Sequence, residues 1–381
     1  MITTSTSGVW ELNEVYSKRN AERWRPDGVG LFSWGQNTYG QLGQDNRTYY
    51  SSPIQIPGNQ WSNQQYKAGY NSSQSVSAIK TDETLWVWGY NGFGELGQGN
   101  RISYSSPVQI PGNQWKYVSN ANISNGGKLA TKTDGTLWAW GYNINGNLGQ
   151  NNRTYYSSPV QIPGNQWNLI SCNYFALATK TDGTLWAWGR GGVGEVGQNN
   201  RTYYSSPVQI PGTQWNLVST GSQHALATKT DGTLWAWGTN NSGQLSQNNN
   251  AINYSSPVQI PGTQWSSIYA GFRHSTATKT DNTLWIWGRN NEGQLGLSDI
   301  TPRSSPVQIP GTNWSSISNG YYHSLATKTD GTLWAWGDNG SGRLGQNNTI
   351  SYSSPVQVPG TSWSSIVGGY VGSMALGGIY L

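Results

Sequence analysis

The sequence has one cysteine, Cys172, with two methionines and four phenylalanines in 381 residues. A single cysteine excludes a disulfide framework and any cysteine-based zinc site. Charge is scarce too: Asp, Glu, Lys and Arg make up 10% of the chain, against about 25% in an ordinary soluble domain. No run approaches the roughly 20 apolar residues of a membrane span. The first ten residues, MITTSTSGVW, have neither a basic start nor an apolar core, so no secretory signal is expected. The Asn-Arg-Thr sequons at Asn46, Asn152 and Asn200 then carry no expectation of glycosylation. The net charge is +5, with no Lys/Arg run to form a nucleic-acid tail.

Glycine and two aromatics are abundant instead. There are 50 Gly, 22 Trp and 22 Tyr. A disordered chain is poor in aromatic and β-branched residues, so this composition excludes disorder.

An internal repeat organises the chain. The run Asp-Gly-Thr-Leu-Trp-Ala-Trp-Gly recurs with small changes, its second tryptophan being Trp34, Trp88, Trp140, Trp188, Trp237, Trp287 and Trp336. A second run, Ser-Ser-Pro-Val-Gln-Ile-Pro-Gly, also occurs seven times, with its first proline at Pro53, Pro107, Pro159, Pro207, Pro257, Pro306 and Pro355. A third marker follows it at Trp61, Trp115, Trp167, Trp215, Trp265, Trp314 and Trp363. Each copy reads as short strands: PVQI between Pro and Gly, WNLVS, ALATK and the aromatic TLWAW. Lys-Thr-Asp-Gly divides the last two as a hairpin signal, as at Asp134-Gly135. No helical period appears between them. Four strands at a period near 50 make a propeller blade, and seven copies make seven blades.

The expected fold is all-β: a seven-bladed β-propeller of four-stranded blades over residues 27–381, preceded by a short extension, residues 1–26. The first copy starts part-way through its repeat and the last one stops early. The C-terminal strands should therefore pair with the strand holding Leu31, Phe32 and Trp34, which closes the ring and removes both sheet edges. The paired tryptophans, such as Trp186 and Trp188, fall on one strand face. They are expected to fill the space between blades.

The pattern G-x-x-H-S-L-A-T-K-T-D-G-T-L-W-A-W-G-x-N-x-x-G-Q-L-G resembles the regulator of chromosome condensation repeat, over about residues 27–381. The resemblance implies a seven-bladed propeller. Members of that family include a nucleotide exchange factor for a small GTPase, a plant UV-B photoreceptor and a bacterial inhibitor of β-lactamases, so it does not fix a function. The exchange-factor likeness lacks a basic tail and an inserted wedge. The photoreceptor's Gly-Trp-Arg-His-Thr segment has one imperfect match, Gly271-Phe272-Arg273-His274-Ser275.

The segment Ser7 to Gly28 stands outside the blades. It resembles the G-V-W-x-L-x-E-x-Y-x-x-R leader of bacteriophage tail-fibre and structural proteins. Leu12, Val15, Tyr16 and Arg19 fall at helical spacing, with Trp10 and Trp24 on either side. They form a candidate docking segment.

No catalytic constellation is evident: no phosphate loop, zinc spacing or hydrolase elbow occurs. His224, His274 and His323 share one repeat position. Such a set can line a channel or bind a metal; the plainer reading is strand-start histidines held by hydrogen bonds and copied by duplication. No catalytic residue, metal site or cofactor is assigned. The first four copies alone carry Asn-Arg-Thr-Tyr-Tyr or a variant, which sets Arg47, Arg101, Arg153 and Arg201 at matching positions. Beside them stand Tyr49, Tyr50, Tyr104, Tyr155, Tyr156, Tyr203 and Tyr204. Tyr and Arg anchor interfaces and also suit sugar rings, so these residues form a candidate rim patch. The copies differ most in two zones, the turn before the LATK strand and the loop after Trp-Gly.

The expected function is a non-catalytic bacteriophage virion protein of tail-fibre, adhesin or decoration type. It would be held to other virion proteins by the leader and present the propeller to a host-surface glycan or protein. No nucleic acid and no membrane span are expected. The alternative is a soluble interaction propeller that binds or inhibits an enzyme, placed in the cytoplasm if the chain is not a virion protein.

Overall fold

The computed structural model describes residues 30–62, 68–70, 74–120 and 127–377. They form 28 strands in seven four-stranded sheets, and no helix appears among them. Six blades run in simple sequence order, over residues 68–109, 115–162, 167–210, 215–260, 265–308 and 314–358. The seventh joins the two ends of the described chain. Gly30–Gly35 pairs antiparallel with Gly372–Gly377, in register from Gly30 opposite Gly377 to Gly35 opposite Gly372. The strand with Leu31, Phe32 and Trp34 thus closes the ring, as the truncated first and last copies imply.

The third blade shows why each copy folds alike. Its strands are Trp167–Cys172, Phe175–Lys180, Leu185–Gly189 and Tyr204–Ile210. The two middle strands are buried on both faces and read as near-continuous apolar runs. The fourth strand breaks register between Val208, opposite Ala187, and Tyr204, opposite Gly189. Pro207 sits inside that bulge, where it lacks the N–H a ladder needs. A bulged, proline-bearing strand on the outer edge of each blade also resists edge-to-edge association.

First strands of neighbouring blades touch one another around a closed cycle, Ile366–Gly368 meeting Ala68–Tyr70. They line the centre. Because strands alternate in direction, the turns after first and third strands share one face of the ring. The turns after second and fourth strands share the other. The long loops between third and fourth strands therefore all rise on one face, called here the long-loop face.

Blades are joined by tryptophan. Trp188 is fully buried and donates Nε1–H to Asn147 O of the preceding blade at 2.9 Å. The other six copies repeat the bond, including Trp88 to Gln41 O, Trp140 to Glu95 O and Trp237 to Glu195 O. Each buried indole removes roughly 200 Å² from water, so this row is a main source of ring stability. Trp186, by contrast, is half-buried. It packs at the margin of the same cluster and donates Nε1–H to Thr184 Oγ1 at 3.0 Å. The inner member of each pair fills the gap between blades; the outer one edges it.

The acceptor carbonyl belongs to the Gly-Gln-Leu-Gly loop. Its first glycine makes the closest approach between blades: a Cβ on Gly94 would lie 2.6 Å from Ser157 Cα, at a φ of +86°. No other residue fits there without moving a blade.

Candidate functional site

The histidines are structural. His224, His274 and His323 are fully buried. His224 Nε2 meets Ser275 Oγ of the next blade at 3.0 Å, and Ser275 Oγ donates to Gln244 O at 3.0 Å. His274 with Ser324, and His323 with Ser373, repeat the pair at 3.1 and 2.9 Å. Each serine hydrogen is committed to a carbonyl, so the serine oxygen must accept and the histidine must carry its proton on Nε2. Burial pushes His224 and His274 down to about 3, and His323 well below its ordinary value. All three are neutral inter-blade ties. No group of three or more His, Cys, Asp or Glu able to hold a metal occurs among the described residues.

Arginine and lysine are segregated between the two faces. The nine described arginines are Arg47, Arg101, Arg153, Arg190, Arg201, Arg273, Arg289, Arg303 and Arg343, and each lies on or beside a turn of the long-loop face. Seven of the eight described lysines lie on the opposite face, where six of them precede the Thr-Asp turn. In those turns the aspartate accepts from the following threonine, as Asp182 Oδ1 does from Thr184 N at 2.9 Å and Thr184 Oγ1 at 2.7 Å. That bond holds the Asp182 carboxyl below its ordinary value.

Exposed apolar surface follows the arginines. The large hydrophobics most open to water among the described residues are Tyr39, Tyr49, Ile102, Ile144, Tyr203, Ile252, Ile300 and Ile350. All eight sit on the long loops.

The rim patch read from the sequence lies in this face, on four adjacent blades. Arg47, Arg101, Arg153 and Arg201 are exposed. The tyrosines divide by position. Tyr50, Tyr104, Tyr156 and Tyr204 open the fourth strand and pack on the core, each hydroxyl accepting from an asparagine, as Tyr156 does from Asn152 at 2.9 Å. The preceding tyrosines face outward. Tyr49 is 52% exposed. Arg153 stands 5.7 Å over the Tyr203 ring. Tyr155 joins a row that sequence reasoning did not assemble: Tyr39–Tyr90, Tyr90–Phe93, Phe93–Tyr142 and Tyr142–Tyr155, with centroids 4.8 to 6.2 Å apart.

A second aromatic group surrounds the channel mouth. Phe272 stacks on Tyr321 at 3.7 Å, and Tyr321 meets Tyr322 and Tyr370 edge-on at 4.3 and 4.6 Å. Tyr174, three blades away, acts electrostatically on Tyr321, whose ionisation is pushed up chiefly by burial. Three arginines stand over this group: Arg190 over Tyr174, Arg273 over Phe272 and Arg289 over Tyr322. Arg190 pairs with buried Glu195 at 3.4 Å and Arg289 with Glu292 at 2.7 Å. The aromatics and Arg273 come from the variable turns before the LATK strands, whereas Arg190 and Arg289 open the loops after Trp-Gly. Their sequence signal was divergence between copies; their union needs the ring geometry.

Under this face lie two buried titratable groups that act on each other electrostatically. Glu95, where most copies have Gln or Asn, is pushed up to about 7 by burial. Lys128 of the next blade is pushed down to about 7 by burial and held up by Glu95. Cys172, one blade further, is buried and pushed up to about 12, which makes it a poor nucleophile. The candidate leader residues Trp10, Leu12, Val15, Tyr16, Arg19 and Trp24 lie outside the described residues.

The sequence profile of the Regulator of chromosome condensation (RCC1) repeat matches residues 30–73, 82–121, 134–172, 182–228, 231–278, 281–327 and 330–376. The human E3 ubiquitin-protein ligase HERC2 is 28% identical over 134 residues, 35% of this chain and 3% of that protein. The Ultraviolet-B receptor UVR8 of Arabidopsis thaliana is 30% identical over 135 residues, 35% of this chain and 30% of that protein. The chain thus spans less than a third of the length of either relative. Human WBSCR16 superposes with a TM-score of 0.79 at 19% identity, over 93% of this chain and 100% of that one. Yeast RCC1 (Prp20), solved with Kap60 bound, gives 0.78 at 19% identity, over 100% and 95%. These likenesses show the fold.

Proposed function

Because this chain belongs to the regulator of chromosome condensation repeat family, we propose that it is a non-catalytic interaction propeller whose long-loop face binds a protein partner bearing carboxylates. One observation carries the reading: all nine described arginines and all eight exposed large hydrophobics occupy that face. Interfaces are enriched in Arg and aromatics. The half-buried rings at the channel mouth supply rigid area at low entropic cost, and the arginines over them supply charge-assisted bonds. Support by analogy comes from yeast RCC1 (Prp20), solved with Kap60 and characterised for binding to Gsp1p and histones.

The test is quantitative affinity capture from lysate of the source cells. The parent chain is compared with a variant carrying Glu at Arg47, Arg101, Arg153 and Arg201, and with one carrying Arg273→Glu and Phe272→Ala. One set of proteins enriched by the parent and lost from either variant supports the reading. Identical capture by all three forms sinks it.

A second reading rests on the sequence of residues 7–24: a virion component held by its leader to other virion proteins, with a host-surface glycan or protein as ligand. Mass spectrometry of purified particles, with copy number, tests it. Stoichiometric presence supports it, and absence from intact particles removes it.

A further inference from the structure

Between the blades, away from the long-loop arginines, each lysine before the Thr-Asp turn meets two tryptophans. In the fourth blade Lys229 Nζ lies 4.9 Å from the ring centroids of both Trp215 and Trp235. The two indoles meet edge-on at 6.1 Å. Trp235 is fixed by its Nε1–H bond to Thr233 Oγ1 at 3.0 Å. Trp215 is 4% exposed, and its Nε1–H finds no acceptor among the described residues. A buried donor left unpaired costs about 1–3 kcal/mol, so six such copies call for an explanation.

The glycine beside them supplies one. The point a Cβ would occupy on Gly212 lies 3.8 Å from Trp215 Nε1 and 3.9 Å from Lys229 Nζ, with no other atom within 4 Å. Both donors stand beside this notch: Trp215 Nε1 is closed to water and has no acceptor among the described residues, while Lys229 Nζ lies over the two indole rings with Asp231 as a charge partner. The third blade repeats it at Gly164, 3.6 Å from Trp167 Nε1 and 3.7 Å from Lys180 Nζ. The fifth repeats it at Gly262, 3.9 Å from both Trp265 Nε1 and Lys279 Nζ. An ammonium and an indole N–H together select an oxygen anion.

The space around the notch selects further. In the fourth blade it opens into a crevice of about 300 Å³, walled by Trp235, Pro211 and Pro257 and edged by Gln198, Asn199 and Ser256. Apolar walls with a few polar groups at the rim suit a ring that carries hydroxyls.

We propose that the crevice of the fourth blade, and the matching notches of the third and fifth, bind uronate rings of an acidic polysaccharide, one carboxylate per notch, between Lys229 and Trp215, Lys180 and Trp167, and Lys279 and Trp265. The lysines and tryptophans of the site lie off the arginine face, while the rim residues Gln198 and Asn199 come from a long loop. Three copies on adjacent blades let one chain engage several notches, which multiplies affinity without new contacts.

The experiment is titration calorimetry of the full chain with oligogalacturonate, with tryptophan fluorescence read in parallel. Saturable binding with fluorescence change is expected. A variant carrying K180Q, K229Q and K279Q should lose at least tenfold in affinity at an unchanged melting temperature. Oligogalacturonate whose carboxylates have been reduced to alcohols should fail to bind the parent chain, which decides the matter even if the triple variant does not fold. No saturable binding, equal binding by a folded variant, or equal binding of the reduced sugar overturns the proposal. Equal binding of polyglutamate overturns the choice of a sugar ring.

Discussion

Trp34 donates its indole Nε1–H to Arg343 O at 2.8 Å, a bond that spans 309 residues of sequence. It ties the seventh blade to the sixth, at the seam where the chain's two ends meet. Every other blade pair carries the same bond, but only here does one partner come from the first strand of the described chain. Trp34→Ala should therefore cost about 3–5 kcal/mol, the usual range for a large buried aromatic. Trp34→Phe removes the donor and part of the ring, and should cost less, since Arg343 O keeps its bond from Ser373 Oγ at 2.8 Å and one hydrogen bond contributes only about 0.5–1.5 kcal/mol net. Chemical denaturation measures both. An Ala variant that unfolds at the parent's midpoint would mean that the seam does not limit stability.

Ser246 marks a defect in the fourth blade. Six copies place a left-handed glycine there, such as Gly197 at φ +73° and Gly296 at +66°. Ser246 holds φ +59°, and its buried Oγ has no partner among the described residues. The left-handed region costs a side chain roughly 1–2 kcal/mol. Ser246→Gly should stabilise the protein by about 1 kcal/mol, after allowance for glycine's extra freedom when unfolded. A thermal melt that falls, or does not move, would contradict this account.

Much of the fold was legible because duplication repeats every signal seven times. The closing strand could be named from Leu31, Phe32 and Trp34, since an incomplete first copy and an incomplete last one must complete each other. Hydrogen-bond partners were less legible. His224 finds Ser275 across 51 residues and a blade boundary, and nothing local to either residue announces the other. The rim tyrosines were read as one group, yet strand alternation turns Tyr204 toward the core and leaves Tyr203 in water. The segregation of arginine from lysine was present in the sequence. Each lysine before the Thr-Asp turn ends a second strand, and the arginines cluster near turns of the opposite face, so strand direction alone separates them. The cluster of Phe272, Tyr321 and Tyr370 needs the ring, which brings three consecutive blades to one axis.

Glu95 and Lys128 should behave as a unit. Most copies of the Glu95 position carry a neutral amide, such as Gln41 or Gln244, and three copies of the Lys128 position carry serine, at Ser275, Ser324 and Ser373. Glu95→Gln alone removes the charge that holds Lys128 up, and should destabilise by about 3 kcal/mol. Lys128→Ser alone leaves Glu95 buried without its ammonium and opens space, at a similar cost. The double variant restores the arrangement of other blades and should recover most of the loss. The coupling energy of the double-mutant cycle is the measurement. Additive losses would show that the two groups do not depend on each other.

The histidine ties set a pH dependence with a definite sign. His274 is neutral in the fold and titrates at about 3 there, against 6.5 when free of the fold. Between those values the unfolded chain binds a proton that the folded chain refuses, so stability is full above pH 6.5 and is lost as pH falls. Each such histidine contributes a slope of about 1.4 kcal/mol per pH unit. Glu95, pushed up to about 7, opposes the trend with the reverse slope from about pH 4.5 to 7, so the total is less than the sum of three histidines. A difference between variants isolates the effect. His274→Gln keeps a side-chain N–H for Ser324 and cannot titrate, so its stability should fall less steeply between pH 6.5 and 5, by about 1.4 kcal/mol per unit. Denaturant midpoints taken across that window give both slopes. Parallel curves for parent and variant would place the His274 proton in the folded state, and the neutral tie between the fifth and sixth blades would then have to be abandoned.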